Sequence, residues 1–322
     1  MPKITFLNQP KLSEHDTNTL YEKRLKLLPE IENFISNHKR FEGEDIAVSF
    51  AEKGASSLVG IIETRKEKLA LKVRIDAPLA ETEFLEAWGL VGVKVPHIYE
   101  SGMLGDKMYI LMEYINEKTL REEYRKGEMV KKAVYIEMGK TLRLMHQVKG
   151  QGYGRPVDNK GEYTDFASWL TNTLEKKVVN VKENGLLSDD LHGSLPLALK
   201  TSILFTKTNK ESVYCHNDFS YVNIFSTTPL TVFDPRPMFN NPYLDLALTI
   251  VIAIGNSGHK EASIQLIDGY FGHDSNVNQK ALQANILVQS YLKFPHWSKV
   301  RKLEGIRFVQ NYLAETKHLL GS

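Results

Sequence analysis

Two hydrophobic periods divide the chain. Before about residue 115, apolar positions alternate with polar ones in short runs; after it, they recur every third or fourth residue over long ones. Residues 46–50, 58–64, 68–74 and 107–114 read as strands, with 93–99 as an extended entry. Two helical stretches interrupt them. One is 12–37, where Leu20, Leu27, Leu28, Ile31, Phe34 and Ile35 share a face behind Ser13 or Asp16 as cap; the other is 80–91. The polar Asn116-Glu117-Lys118 is the expected hinge, giving one domain over 1–115 and a second over 116–322. In the second, 131–146, 167–181, 195–206, 244–254, 261–270, 278–294 and 300–320 read as helices, with a glycine-bearing loop over 150–156. The class is α+β, a small sheet-rich part followed by a larger, mainly helical one.

One stretch of the second part follows neither long period. Val213, Tyr214 and Cys215 deliver His216 and Asp218 into a loop, Asn223 returns five positions after Asp218, and the run 230–233 ends in Asp234. Two strands with a short connection would bring three oxygen donors into one cleft. Phosphoryl transfer asks for such a set. A hard Mg²⁺ ion takes a few carboxylate and amide oxygens beside nucleotide phosphates, and a separate carboxylate faces the acceptor hydroxyl. Asp218 suits the hydroxyl-facing role and Asn223 and Asp234 the metal, in the H-x-D-x-x-x-x-N…D order of protein kinases. The competing reading makes Asp218 and Asn223 turn residues between hairpin strands and Asp234 the start of an Asp-Pro turn.

Upstream residues bear on that choice. Lys72 stands inside Leu69-Ala70-Leu71-Lys72-Val73. Pointing inward it requires an anion, because burying an unpaired ammonium costs several kcal/mol; otherwise it faces solvent from an exposed strand. Glu81 and Glu83, on the following helix, are the candidate partners. They diverge by roughly 200°, and Leu85 and Trp88, four and seven positions after Glu81, favour Glu81. Between the first two strands Gly54-Ala55-Ser56-Ser57 would let backbone amides and serine hydroxyls approach phosphate oxygens, or form an ordinary hairpin turn.

Totals narrow the field. The 322 residues are 42% hydrophobic and 25% charged, enough for a sizeable core. A net charge of +2 without a dense Lys/Arg tract gives no footprint for nucleic acid. Neither a leader-like start nor an apolar run of about 18 residues occurs, so a soluble cytoplasmic protein is expected, with no membrane partner. A single cysteine, Cys215, excludes an internal disulfide and a cysteine-rich zinc site, and reads as a buried filler. His146 reads as a helix-end histidine, with no second His or Cys at ligand spacing. Oligomeric state is not readable.

In this order the residues resemble the aminoglycoside phosphotransferase family of the protein-kinase-like fold, which also includes choline, fructosamine and homoserine kinases. The likeness spans about 46–270. It is carried by Ile110-Leu111-Met112-Glu113-Tyr114-Ile115 with Thr119-Leu120, by Leu144-Met145-His146 leading to Gly152-Tyr153-Gly154, and by His216-Asn217-Asp218…Asn223-Ile224…Asp234…Asp245-Leu246-Ala247. The resemblance implies a bilobal fold, a small five-stranded antiparallel lobe with one helix joined to a larger helical lobe, and ATP between them; the choice of ATP over GTP, set by hinge main-chain geometry, stays open. Lys72, held by Glu81 or Glu83, would bind the α- and β-phosphates, and Ser56 and Ser57 would lie near phosphate. Met112 would border the adenine, with the Glu113 carbonyl and Ile115 amide on its edge. Asp218 resembles the catalytic base, Asn223 and Asp234 the Mg²⁺ ligands, and His216 and Asp245 braces of the loop. The implied reaction moves the γ-phosphate to a hydroxyl of a small molecule: an aminoglycoside, an amino alcohol or a sugar. A nucleotide-binding regulator without turnover is the alternative.

Two departures stand out. Asn217 follows the loop histidine where the family has glycine, and asparagine tolerates left-handed dihedrals. Pro235-Arg236-Pro237 follows Asp234, stiffening that segment and resembling the streptomycin-kinase branch; Arg236 could neutralise phosphate or pair with Asp245. Carboxylates for a cationic acceptor, Asp165, Glu183, Asp189 and Asp190, are scattered.

Overall fold

The computed structural model describes residues 2–10, 18–51, 57–75, 80–124, 130–272 and 277–320. The chain divides into Met1–Glu86 with Val95–Asn116, and Ala87–Lys94 with Glu117–Ser322.

The first unit is built on a sheet of order β1-β2-β3-β4-β6-β5, from Lys3–Phe6, Asp45–Phe50, Ser57–Glu63, Lys68–Arg74, Ile98–Leu104 (β5) and Lys107–Glu113 (β6). It has six strands rather than five. The extra one, β1, pairs parallel with β2, while the other pairings are antiparallel. The expected single helix over 12–37 is two within the described residues, α1 (Asn18–Leu25) and α2 (Leu28–Asn37). Pro29 occupies the first turn of α2, where its missing N–H costs nothing. Ile31 and Ile35 of α2 pack with Val48, Ile62, Leu71 and Leu111, fully buried on one face of the sheet. A third helix, α3 (Glu81–Leu90), begins in this unit.

The second unit is mainly helical: α4 (Leu120–Glu123), α5 (Lys132–Met145), α6 (Phe166–Glu183), α7 (Asp189–Gly193), α8 (Leu195–Asn209), α9 (Pro242–Ser257), α10 (Glu261–Phe271), α11 (Gln279–Lys299) and α12 (Leu303–Thr316). Its centre is α9 and α11. Tyr243–Gly255 and Ala281–Tyr291 are buried throughout, so both helices are packed on all sides. Buried polar groups along α11 are satisfied: Gln289 donates to Leu244 O and Asn285 accepts from Ser202. The expected loop over 150–156 is instead part of a sheet. β7 (Lys149–Gly150), β10 (Ser212–Cys215), β13 (Met238–Asn240), β8 (Tyr153–Val157) and β9 (Lys160–Tyr163) pair in that order. A two-stranded ribbon joins β11 (Ile224–Phe225) to β12 (Thr231–Val232).

Helices α5 and α10 approach through glycine. A Cβ on Gly139 would lie 2.3 Å from Leu266 O, and one on Gly269 2.1 Å from Ile136 O, so each backbone fills the space a side chain would need. Among the described residues, no helix is long and apolar enough to cross a membrane.

Candidate functional site

In the first unit, strand alternation separates two faces of β4. Leu69, Leu71 and Val73 enter the main core, which leaves Ala70 and Lys72 on the opposite face. Register completes that face: Lys72 lies across from Val59 and Ile110, and Ala70 across from Met112. Ala70, Ile110 and Met112 form a small apolar patch, with Val59 and Ile98 against it. Lys72 is buried rather than solvent-facing, and its ammonium donates to both Glu81 oxygens at 2.6 and 2.7 Å. Glu81 is 1% exposed, whereas Glu83, expected to bind nucleotide by the same route, is exposed and stands apart from this pair. Arg74 also reaches Glu81, at 3.8 Å. Ser57 begins β3, buried opposite Arg74; Ser56 lies outside the described residues. Glu113 ends β6, its N–H donating to His97 O, and Ile115 follows half-buried.

In the second unit, β10 ends at Cys215, His216 follows it, and the chain turns through Asn217, whose φ of 55° is the left-handed conformation its side chain tolerates. A short 3-10 turn, Tyr221–Asn223, ends the loop. Asn223 Nδ2 donates to Asp218 O at 2.9 Å and lies 3.3 Å from Asp218 Oδ2, which leaves the amide oxygen as the outward acceptor. Phe233 N donates to Asn223 O at 3.1 Å, so the ribbon brings the residue before Asp234 against Asn223. Asp234 has φ 53°, unusual for a residue before proline. Anchors on both sides hold it there, since Arg236 N donates to His216 O at 2.9 Å.

The loop rests on buried groups. Asp245, in the first turn of α9, accepts from His216 N at 2.8 Å and Asn217 N at 2.9 Å. His146 caps α5 and lies between Asp245, 3.2 Å from Nε2, and the Tyr270 hydroxyl, 2.7 Å from Nδ1. His216 Nε2 donates to Phe233 O, and its ring stacks on Trp88 with centroids 5.7 Å apart and planes 4° from parallel. Burial pushes His216 below the ordinary histidine range, against the pull of Asp245, Asp218 and Asp234. No ligand spacing joins His146 to another donor in sequence, yet topology brings Cys215 and Asp245 within 4.8 Å of it. Both imidazole nitrogens are engaged and the Cys215 thiol lies 3.7 Å from Asn240 O, so this cluster serves as a brace. Burial, then Asp245, raises the thiol well above its usual range.

Two neighbours of Asp218 were not foreseen. Lys293, on α11, lies 3.7 Å from Oδ1, and Arg236 lies 3.5 Å from Oδ2 rather than beside Asp245. Nothing local to position 293 marks it; a lysine in a helical run reads as a solvated face. The oxygen donors of Asn223 and Asp234, one amide and one carboxylate, have the hard character that Mg²⁺ takes.

Residues 51–281 match the APH phosphotransferase enzyme family. No curated protein matches the chain. Among solved structures, the fold is similar to that of aminoglycoside phosphotransferase APH(4)-Ia, with TM-score 0.59 and 13% identity over 91% of this chain and 99% of that one. Spectinomycin phosphotransferase APH(9)-Ia, solved with ADP and spectinomycin, gives TM-score 0.57 and 14% identity over 87% and 93%. A protein from Thermobifida fusca YX-ER1 described as a candidate fructosamine-3-kinase gives 0.52 and 14% over 84% and 95%. At these identities the likeness is one of fold, the α+β kinase-like arrangement of a sheet-rich and a mainly helical part. Matched over most of its length, the chain belongs to the APH phosphotransferase enzyme family.

Proposed function

We propose that this phosphotransferase moves the γ-phosphate of ATP to a hydroxyl of a small molecule, with Asp218 as the catalytic base. The observation that carries the reading is the Asp218–Asn223 pair: the amide donates to Asp218 and presents its oxygen elsewhere, so one carboxylate is oriented for a proton and a second donor remains for metal. Relatives of this fold have been solved with ADP or AMP-PNP together with hygromycin B.

The roles follow from the donor chemistry. Asn223 and Asp234 would hold Mg²⁺, which when bound neutralises charge on the transferring phosphate. Lys72, kept in place by Glu81, binds phosphate oxygens. The apolar patch of Val59, Ala70 and Met112 suits a purine ring, with the main chain of Glu113 and Ile115 at its edge. Asp218 accepts the acceptor's hydroxyl proton as its oxygen bonds to the γ-phosphorus and the bridging bond to the β-phosphate breaks, releasing ADP. His216 and Asp245 position the loop and touch no reacting atom. Turnover of ATP with Mg²⁺ should fall by about 10³-fold or more in Asp218→Ala, the scale of a lost general base and its orienting effect, with nucleotide affinity within about twofold. Equal turnover in the variant would remove Asp218 from the role.

A further inference from the structure

Two cations approach Asp218, on a loop followed two strands later by Asp234. Lys293 and Arg236 approach the two oxygens of Asp218 at 3.7 and 3.5 Å, so two cations meet one carboxylate. Lys293 and His296 stand three residues apart on α11 and share a helix face. His296 is held below its usual range by burial and then by Lys293, Arg236 and, more weakly, Lys177 of α6, against the pull of Asp218. Burial and then Lys293 and Arg121 depress Lys302, whose ammonium lies against the neutral Asn256 amide and 4.2 Å over the Trp297 ring.

Of the four carboxylates singled out for a cationic acceptor, two are engaged elsewhere. Asp165 caps α6 through Ser168 N, and Asp190 pairs with Lys317. Glu183 and Asp189 are exposed. A polycationic aminoglycoside would meet Lys293 and Arg236 beside the very oxygen that must take its proton, with like charges disfavouring each other in a half-buried site. An anion is attracted by the same groups.

We infer that the acceptor is an anionic alcohol, a small hydroxyl compound bearing a carboxylate or phosphate that Lys293 and Arg236 bind beside Asp218. This rests on the phosphotransferase reading above and narrows it to a substrate class. Lys293 then has two functions: it neutralises Asp218 before substrate arrives and transfers its charge to the acceptor's anionic group afterwards, freeing the carboxylate for the proton.

The test is calorimetric titration of the full chain with matched probes: D-glycerate against glyceramide, gluconate against glucose, glucose 6-phosphate against glucose, and kanamycin as the polycation, with AMP-PNP and Mg²⁺ present. At least one acid should bind tenfold or more tightly than its neutral counterpart, and kanamycin no more tightly than the neutral compounds. Lys293→Met should bring the preference below about threefold, while Lys293→Arg retains it and AMP-PNP affinity is unchanged. The carboxylate and phosphate pairs separate the two kinds of anion. If Lys293→Met does not fold, Arg236→Gln reads the same ratio. The inference is overturned if no acid in the panel is preferred, if kanamycin binds most tightly, or if the preference survives removal of both cations. Absence of AMP-PNP binding would instead remove the phosphotransferase reading, and the acid-to-neutral ratio of the nucleotide-free protein still decides the inference.

Discussion

Replacing Asp245 by alanine removes the acceptor on which the loop carrying Asp218 hangs. The carboxylate, 3% exposed, takes the N–H groups of His216 and Asn217 at 2.8 and 2.9 Å and faces His146 at 3.2 Å. A buried donor left without an acceptor costs about 1–3 kcal/mol, so two stranded amides put the loss at about 2–6 kcal/mol. The several kcal/mol that burying the carboxylate costs are also removed, which places the expected net loss in the lower half of that range. Against a total stability of about 5–15 kcal/mol this is a large fraction. Asp245→Asn keeps one acceptor oxygen and turns an amide NH2 toward the other donor, so it should lose about half as much. Urea unfolding followed by tryptophan fluorescence, with linear extrapolation, measures both. Turnover should fall with stability, because the left-handed turn at Asn217 is held by the amide that Asp245 accepts. Alanine at 245 within about 0.5 kcal/mol of the parent, the range of an ordinary surface change, would refute the reasoning.

Other outcomes follow from the same geometry. Glu81→Gln should destabilise by about 3–5 kcal/mol, the cost of breaking a buried ion pair from one side, with Lys72→Met/Glu81→Leu milder and Glu83→Gln silent in the same urea assay. Gly139→Ala should lower the thermal midpoint, because backbone atoms of α10 at 2.3 and 2.7 Å cannot yield; the overpacking cost of about 1–3 kcal/mol exceeds the propensity gain of about 1 kcal/mol. Lys302, depressed from 10.5 to about 8 by burial first, makes the unfolded chain bind more protons between those values. Stability should therefore rise with pH over that window, and Lys302→Met should abolish the rise in urea midpoints measured from pH 7 to 10.5.

Much of the candidate site's geometry was legible because it is local. Alternation along 68–74 puts Lys72 and Ala70 on one face and the core leucines on the other, and helical spacing selects Glu81, above buried Leu85 and Trp88, over Glu83. The five-residue return from Asp218 to Asn223 is short enough for one turn to close, and asparagine at 217 supplies the left-handed dihedral without glycine. Less regular signals were missed for physical reasons. β1 is four residues long and largely exposed, so its period is too short to read, and it pairs with a strand some forty positions away. Strands of two to five residues around the 150–156 glycines carry no pattern of their own until β10 and β13 pair with them.

Chain order alone determined which residues could do chemistry: a lysine in an apolar strand, and a carboxylate, an amide and a second carboxylate at loop spacing. Which charges surround them was decided only by packing. His146, Cys215 and Asp245 come together because α5, β10 and α9 meet in the core, and Lys293 reaches Asp218 from a helix late in the chain. Periodicity reports the face a residue occupies on its own element; the partner that face meets is set by how elements stack, which no local pattern encodes.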